Sequence, residues 1–382
     1  MRVIKPIDIE LVSSNVPDSS ATAWDAETSF TAGKRVLVTT SEDGDTDIIQ
    51  KEYIALRDNI DAYPPDNIEE ISGIKLAVSD TDDASGFTLG EMVSSPTASG
   101  YVGQISGTTG GYIIVTSVTG TFVSGDTVTG ADSELTATVD SSRSSSLSAA
   151  WEDAGATNRW KMFDTLVNSQ TESDAEIDVT ISCDRCDTLV LLDLECASIT
   201  IDVTNDATGE LVFSSEYDMR QDESVSWSDY FFTEAQYKTT LCVSIPLYNS
   251  SSARILISND DSTTKCGHVV AGRAKYLGPS QWSPTAGITD YSTKSTDDDG
   301  VTTLEQGEWA KEVEVALQIE STSASALQRR LAGYRGLACV WDCNNDSTEY
   351  DALILYGYYS DFSIVISGPV VSACSMTIQG LI

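Results

Sequence analysis

Histidine is almost missing from this sequence, with His268 its single instance. That closes most routes to general-base catalysis near neutral pH and to histidine-rich metal sites. A Ser-His-Asp or Cys-His centre would have to be built on this one ring. Its context, Lys265-Cys266-Gly267-His268, offers a Cys266/His268 nucleophilic pair as one reading and a structural histidine as the other. Basic residues are also few, 22 against 59 acidic ones, leaving a net charge of −37. Phosphate backbones and anionic lipid call for clustered Lys and Arg, so nucleic acid and membrane surfaces are excluded as partners. No run approaches the roughly 18 apolar residues of a membrane span. The start, Met1-Arg2-Val3-Ile4-Lys5-Pro6, lacks the apolar stretch of a secretion signal, so synthesis and folding in the cytosol are expected. Phosphate-binding loops are missing too: the glycine-rich Ser99–Gly111 stretch has no Lys-Ser/Thr ending and no helix after it.

Apolar residues make up 41% of the chain, enough for sizeable cores despite the many Ser, Thr and Asp. The acidic excess reads as self-repulsion that keeps the subunit soluble, as adaptation to salty water, or as sites for bridging divalent cations. Asp43-Gly44-Asp45-Thr46-Asp47 spaces Asp43, Asp45 and Asp47 as calcium ligands would be, and Asp297-Asp298-Asp299-Gly300 is a shorter relative. The first loop has Ile54 where a closing Glu would stand, so solvated turns are the competing reading. Calcium is the only cofactor expected. The eight cysteines read as reduced, mostly buried thiols in a cytosolic product. Cys183/Cys186 and Cys339/Cys343 have ligand-like internal spacing but lie far apart in sequence, which leaves zinc as the lesser alternative. With 59 acids, any pair of carboxylates chosen for glycoside cleavage carries no information. No catalytic residue is assigned.

Helix signals are few. Ser325–Tyr334 places Leu327 and Leu331 at helical spacing, and Ile48–Leu56 reads as either a short helix or a strand. Nearly everything else alternates, or forms short apolar runs between turn-forming residues. The predicted class is all-β and multidomain. Residues 1–70 with 149–164 form a small N-terminal β module. Residues 71–148 are a domain inserted into it, and residues 165–270 form an antiparallel β-sandwich. Residues 271–382 form a further β domain or continue that sandwich. The insert contains a repeat: Phe87-Thr88-Leu89-Gly90-Glu91-Met92-Val93 is echoed by Phe122-Val123-Ser124-Gly125-Asp126-Thr127-Val128. Neither copy buries a face alone, so the pair should close into a small barrel or sandwich. Val3–Val12 reads as one extended segment, and the strands of the sandwich begin at Ala175, Thr188, Ile199, Leu211, Thr239 and Ala253.

The series Trp24, Phe30-Thr31-Ala32-Gly33-Lys34-Arg35-Val36, Tyr53-Ile54-Ala55, Pro64-Pro65-Asp66 and Trp151 resembles the small chitin-binding-type carbohydrate-binding modules. The closing Trp151 stands beyond the insert, as it would if residues 71–148 had entered the module's last loop. The resemblance implies a glycan platform of Trp24, Phe30, Tyr53 and Trp151, since sugar rings stack on aromatic faces. The same rings also suit a core that pins a small domain. The junction Gly155-Ala156-Thr157-Asn158-Arg159-Trp160-Lys161-Met162-Phe163-Asp164, followed by a β-rich region ending Cys374-Ser375-Met376-Thr377-Ile378-Gln379-Gly380-Leu381, resembles structural proteins from the tail modules of bacterial viruses. That implies a non-enzymatic subunit of a virion tail, tail tip or baseplate. It would assemble in the host cytoplasm as a homo-oligomer, trimer or hexamer, against other tail proteins. A receptor module for a host surface glycan and a polysaccharide depolymerase are the alternatives.

Overall fold

The computed structural model describes the chain apart from residues 27, 42–47, 57–63, 67, 70, 80–83, 107–110, 148, 222–235, 260–261, 282–283, 297–301, 345–349, 367 and 382. It is a nearly all-β molecule of several antiparallel sheets. Two compact units divide it. One comprises Met1–Asp18, Ser41–Ile49 and Asn158–Ile382, the other Ser19–Thr40 and Gln50–Thr157. Among the described residues no helix is long and apolar enough to cross a membrane.

The smaller unit holds a four-stranded sheet and a barrel. Trp151–Ala156, which follows the barrel in sequence, pairs with Ile48–Ala55, which precedes it, placing Trp151 opposite Ala55. Arg35–Ser41 and the short Thr22–Ala23 complete the sheet. The ambiguous Ile48–Leu56 segment is therefore a strand, as its β-branched residues favour. The barrel closes through six strands: Ile71–Val78, Met92–Ser94, Ala98–Ser106, Tyr112–Gly120, Thr127–Gly130 and Thr136–Leu147.

The repeat explains how the barrel closes. Phe87 and Phe122, and likewise Val93 and Val128, occupy matching places in its core. Gly90 and Gly125 turn the chain at φ of 83° and 90°, a region that strains other residues. The acid after each glycine first accepts a hydrogen bond inside its own copy, Glu91 from the Thr88 amide at 2.6 Å and Asp126 from the Val123 amide at 3.3 Å. It then reaches the other copy. Glu91 accepts from the amides of Asp132 and Ser133 at 3.1 and 3.0 Å and from the Ser133 hydroxyl at 2.9 Å. Asp126 accepts from the hydroxyls of Thr97 at 2.5 Å and Ser95 at 3.4 Å. Each copy's carboxylate fastens the loop of the other.

The larger unit is built on a ten-stranded sheet. From one edge its strands run Thr240–Ser244, Thr188–Glu195, Thr264–Tyr276, Arg2–Pro6, Cys339–Asp342, Ile354–Val365, Val371–Gly380, Trp309–Glu320 and Thr285–Asp290, with Thr171–Ser173 added beside Thr264–Tyr276. A five-stranded sheet of Glu210–Asp218, Ser198–Asn205, Ser251–Ser258, Glu176–Ser182 and Leu11–Ser14 packs against it. Alternation fixes the inner faces: Ile177, Val179 and Ile181 meet Leu189, Leu191 and Val269 in one core. A second core lies under the helix Ala324–Ala332, whose Leu327 and Leu331 cover Val313, Val315, Leu317 and Trp341.

Three sequence expectations change here. The regions 165–270 and 271–382 share one sheet, because Thr264–Tyr276 spans their boundary. Val3–Val12 is not one strand: Arg2–Pro6 enters the middle of the large sheet and Leu11–Ser14 edges the small one. Residues 1–18 thus belong to the larger unit rather than to the aromatic module, as do residues 158–164.

The large sheet is strongly curled. Neighbouring strands lie about 4.8 Å apart, so strands three steps apart in a flat sheet would be separated by about 14 Å. His268 and Tyr356 sit on strands three steps apart, yet their ring centroids are 4.8 Å from one another. The curled face packs on itself, burying Ile4, Val190, Leu192, Val270, Val340, Ile354 and Tyr356 without a second sheet.

Candidate functional site

At one end of this curl, strand termini surround a cavity of about 320 Å³. It is lined by Leu192 and Asp193, by Thr239 and Thr240, by Glu308 to Lys311, by Ile354 to Tyr356, and by Gly380 and Leu381; Val167 and Asn168 cross over it. Asp193 is the residue that shapes the floor. It interrupts an apolar run with a left-handed backbone, φ 53°. Residues two apart on a strand normally share a face, but Leu192 packs into the curled face and Leu194 into the sandwich core. Gly267 faces this kink. A side chain there would stand 2.5 Å from the Val167 carbonyl oxygen and 2.7 Å from Asp193 Cβ, so only glycine lets the crossing segment approach.

The polar groups are held in place. Gln170 Nε2 donates to Asp193 Oδ2 at 2.9 Å and to the Asp193 carbonyl at 3.2 Å. Burial pushes the Asp193 carboxyl above the usual range, opposed by the Gln170 bond and by Lys311 and Lys265. Lys311 Nζ donates to the Asp351 carbonyl at 3.3 Å. Burial pulls its ammonium below the usual lysine value, while Asp351 and Asp193 act the other way. Trp309 lines the cavity and is 52% exposed as a residue. The cavity therefore combines two aromatic side chains, Trp309 and Tyr356, two carboxylates, Asp193 and Glu308, the Lys311 ammonium and two threonines on an apolar floor.

No family model matches this sequence, and no curated protein does either.

The structure brings together the four aromatic residues singled out in the sequence, in the core of the four-stranded sheet. Phe30, Tyr53 and Trp151 are buried with Val36, Val38, Ala55 and Ala150, and Trp24 packs against them. Phe30 meets Trp151 edge to face at 5.3 Å. These rings face one another instead of forming a flat platform for a sugar, which corrects the glycan-platform expectation for Phe30, Tyr53 and Trp151. Replacing the fully buried Trp151 with alanine is expected to cost about 3–5 kcal/mol. A melting curve followed by circular dichroism should show it; an unchanged midpoint would mean the ring is not a core element.

Asp43, Asp45 and Asp47, and the Asp297–Gly300 loop, lie outside the described residues. Among the described residues no cluster of three or more His, Cys, Asp or Glu is arranged to hold a metal. Cys183 and Cys186 lie in the sandwich core, Cys339 and Cys343 in the core under the helix, so the two pairs do not converge.

His268 and Cys266 are also separated. The kink at Asp193 and Gly267 turns Cys266 into the sandwich core, where burial pushes its thiol up, while His268 meets Tyr356 at a tilt of 51° in the curled face. Burial holds the His268 imidazole down at about 4, neutral at physiological pH, and its Nδ1 has no hydrogen-bond partner among the described residues. What the cavity offers is a set of binding groups. Sequence reading missed Asp193, Trp309, Lys311 and Tyr356; the one available signal was a carboxylate inside the apolar run Leu189–Leu194.

Proposed function

We propose that this chain is a structural subunit of a tailed-virus particle, placed in the tail, tail tip or baseplate, and that it works by binding copies of itself and other tail proteins. The observation that carries the reading is an unprotected edge. Among the described residues, Thr285–Asp290 ends the ten-stranded sheet, pairing only with Trp309–Glu320, and five of its six residues are exposed. Monomeric proteins blunt such edges with lysine, proline or a covering element. This strand has neither residue type, and it presents Ile288 at 65% exposure; Leu304, on the Thr302–Glu305 strand of a separate two-stranded sheet, is 73% exposed. The hairpin between Ile354–Val365 and Val371–Gly380 adds Ile366 and Val370, 71% and 72% exposed. Exposed apolar surface concentrated on a strand edge and a hairpin tip fits partner contact.

The net charge of −37 keeps free subunits apart until edge pairing and screening outweigh it. The resemblance of residues 155–164 and 374–381 to tail-module proteins supports the same reading. The test is solution mass by sedimentation velocity across concentration. The wild-type chain should form a closed oligomer, and Ile288→Asp with Leu304→Asp should leave monomers with an unchanged melting curve. A wild-type chain that stays monomeric at high concentration would sink the assembly reading. Absence of the chain from purified virus particles, probed with antibody, would sink the viral one.

A further inference from the structure

We propose that the cavity at the end of the curled sheet binds one neutral sugar ring, stacked on Trp309 and hydrogen-bonded by Asp193, Lys311 and Thr240. The site adjoins the assembly edge, with Trp309 and Lys311 opposite Asp290 and Ile288, but sugar binding is read independently of assembly.

The volume, about 320 Å³, stands at the small end of the range for small-molecule sites and suits one ring with its water. Openings at the ends of closed or curled sheets are common places for such sites. The chemistry of the lining selects among ligands. An anion needs surplus positive charge, but Lys311 is the single cation among the described residues lining the cavity, and Asp193, Glu308 and the nearby Asp351 outnumber it. A cation would share the space with the Lys311 ammonium and be repelled. A purely apolar ligand would strip water from Asp193 and Lys311 without replacing their hydrogen bonds, which is costly.

A neutral polyol meets every group present. Its C–H face covers the Trp309 indole, and its hydroxyls donate to the carboxylate and accept from the ammonium. They replace the water that those groups lose. The clamps around the cavity match this use. Gln170 fixes the Asp193 carboxylate and Asp351 fixes the Lys311 ammonium, so both are held before a ligand arrives.

The experiment is titration calorimetry on the full chain with neutral probes: glucose, galactose, mannose, N-acetylglucosamine and their disaccharides. Glucuronate and choline serve as charged comparators. At least one neutral sugar should bind, with affinity falling about tenfold or more in Trp309→Ala. Trp309→Phe should restore part of it, and the melting temperature should stay unchanged because Trp309 is half exposed. Thr240→Val supplies an independent arm if Trp309→Ala lowers the melting temperature; it too should weaken binding. Three results would each overturn the proposal: no neutral sugar binding at millimolar concentration, affinity undiminished in both variants, or preference for glucuronate or choline.

Discussion

Replacing Glu91 with alanine should unfold the six-stranded barrel. The buried carboxylate accepts from three backbone amides and one hydroxyl, contributed by both copies of the repeat. Hydrogen bonds to a charged group contribute about 1.5–3 kcal/mol each, though not additively. Removing this acceptor strands several donors, and a loss of about 3–5 kcal/mol is expected. That is a large share of a domain's typical stability. Amide exchange across Phe87–Val139 reads it directly: protection there should collapse in the variant. Retained protection would mean the fastening is incidental.

Acid should act on the same element. Burial alone would raise the Glu91 carboxyl, but the bonds from Ser133, Thr88 and Asp132 outweigh it and hold it below its ordinary 4.5. A carboxyl depressed in the folded state stabilises fully above the unfolded value, and the contribution is lost as pH falls through the folded value. The barrel's melting temperature should therefore drop as pH falls below about 4.5, and drop less in Glu91→Gln.

The second large effect is expected at Ile4. Arg2–Pro6 is the central strand that joins Thr264–Tyr276 to Cys339–Asp342, with Val3 and Ile4 buried on opposite faces. Arg2 ties it down through Nε and Nη2, both donating to Asp342 Oδ2 at 3.1 and 2.6 Å. Ile4→Asp would place a lone carboxylate in the curled apolar face, a change expected to exceed about 4 kcal/mol. The larger unit should fail to fold, seen as insoluble product or loss of near-ultraviolet circular dichroism. A soluble variant with cooperative unfolding near the wild-type midpoint would show that this strand is dispensable.

Much of the strand pattern was legible because alternation is local. Glu176–Ser182 and Ser198–Asn205 bury every second residue, as their sequences suggest, and Leu327 and Leu331 mark the single α-helix described. The barrel announced itself through the paired Phe-Gly-acid-Val motifs. Sheet order was not legible, since no local pattern says that Arg2 faces both Tyr276 and Asp342. The change of sheet between Pro6 and Leu11 was hidden for the same reason. The cavity was invisible because its groups come from strand ends far apart in sequence. Trp309 and Lys311 precede Val313, where the clear alternation begins.

The place of Arg2–Pro6 also sets a timetable. On the ribosome this segment emerges long before either neighbour, and both of its ladders must wait for residues beyond 260 and 330. Until then Val3 and Ile4 remain unburied on a nascent chain, a state open to wrong pairing and to chaperone capture. Maturation of the larger unit should accordingly be post-translational and slow, with residues 2–6 among the last to gain protection.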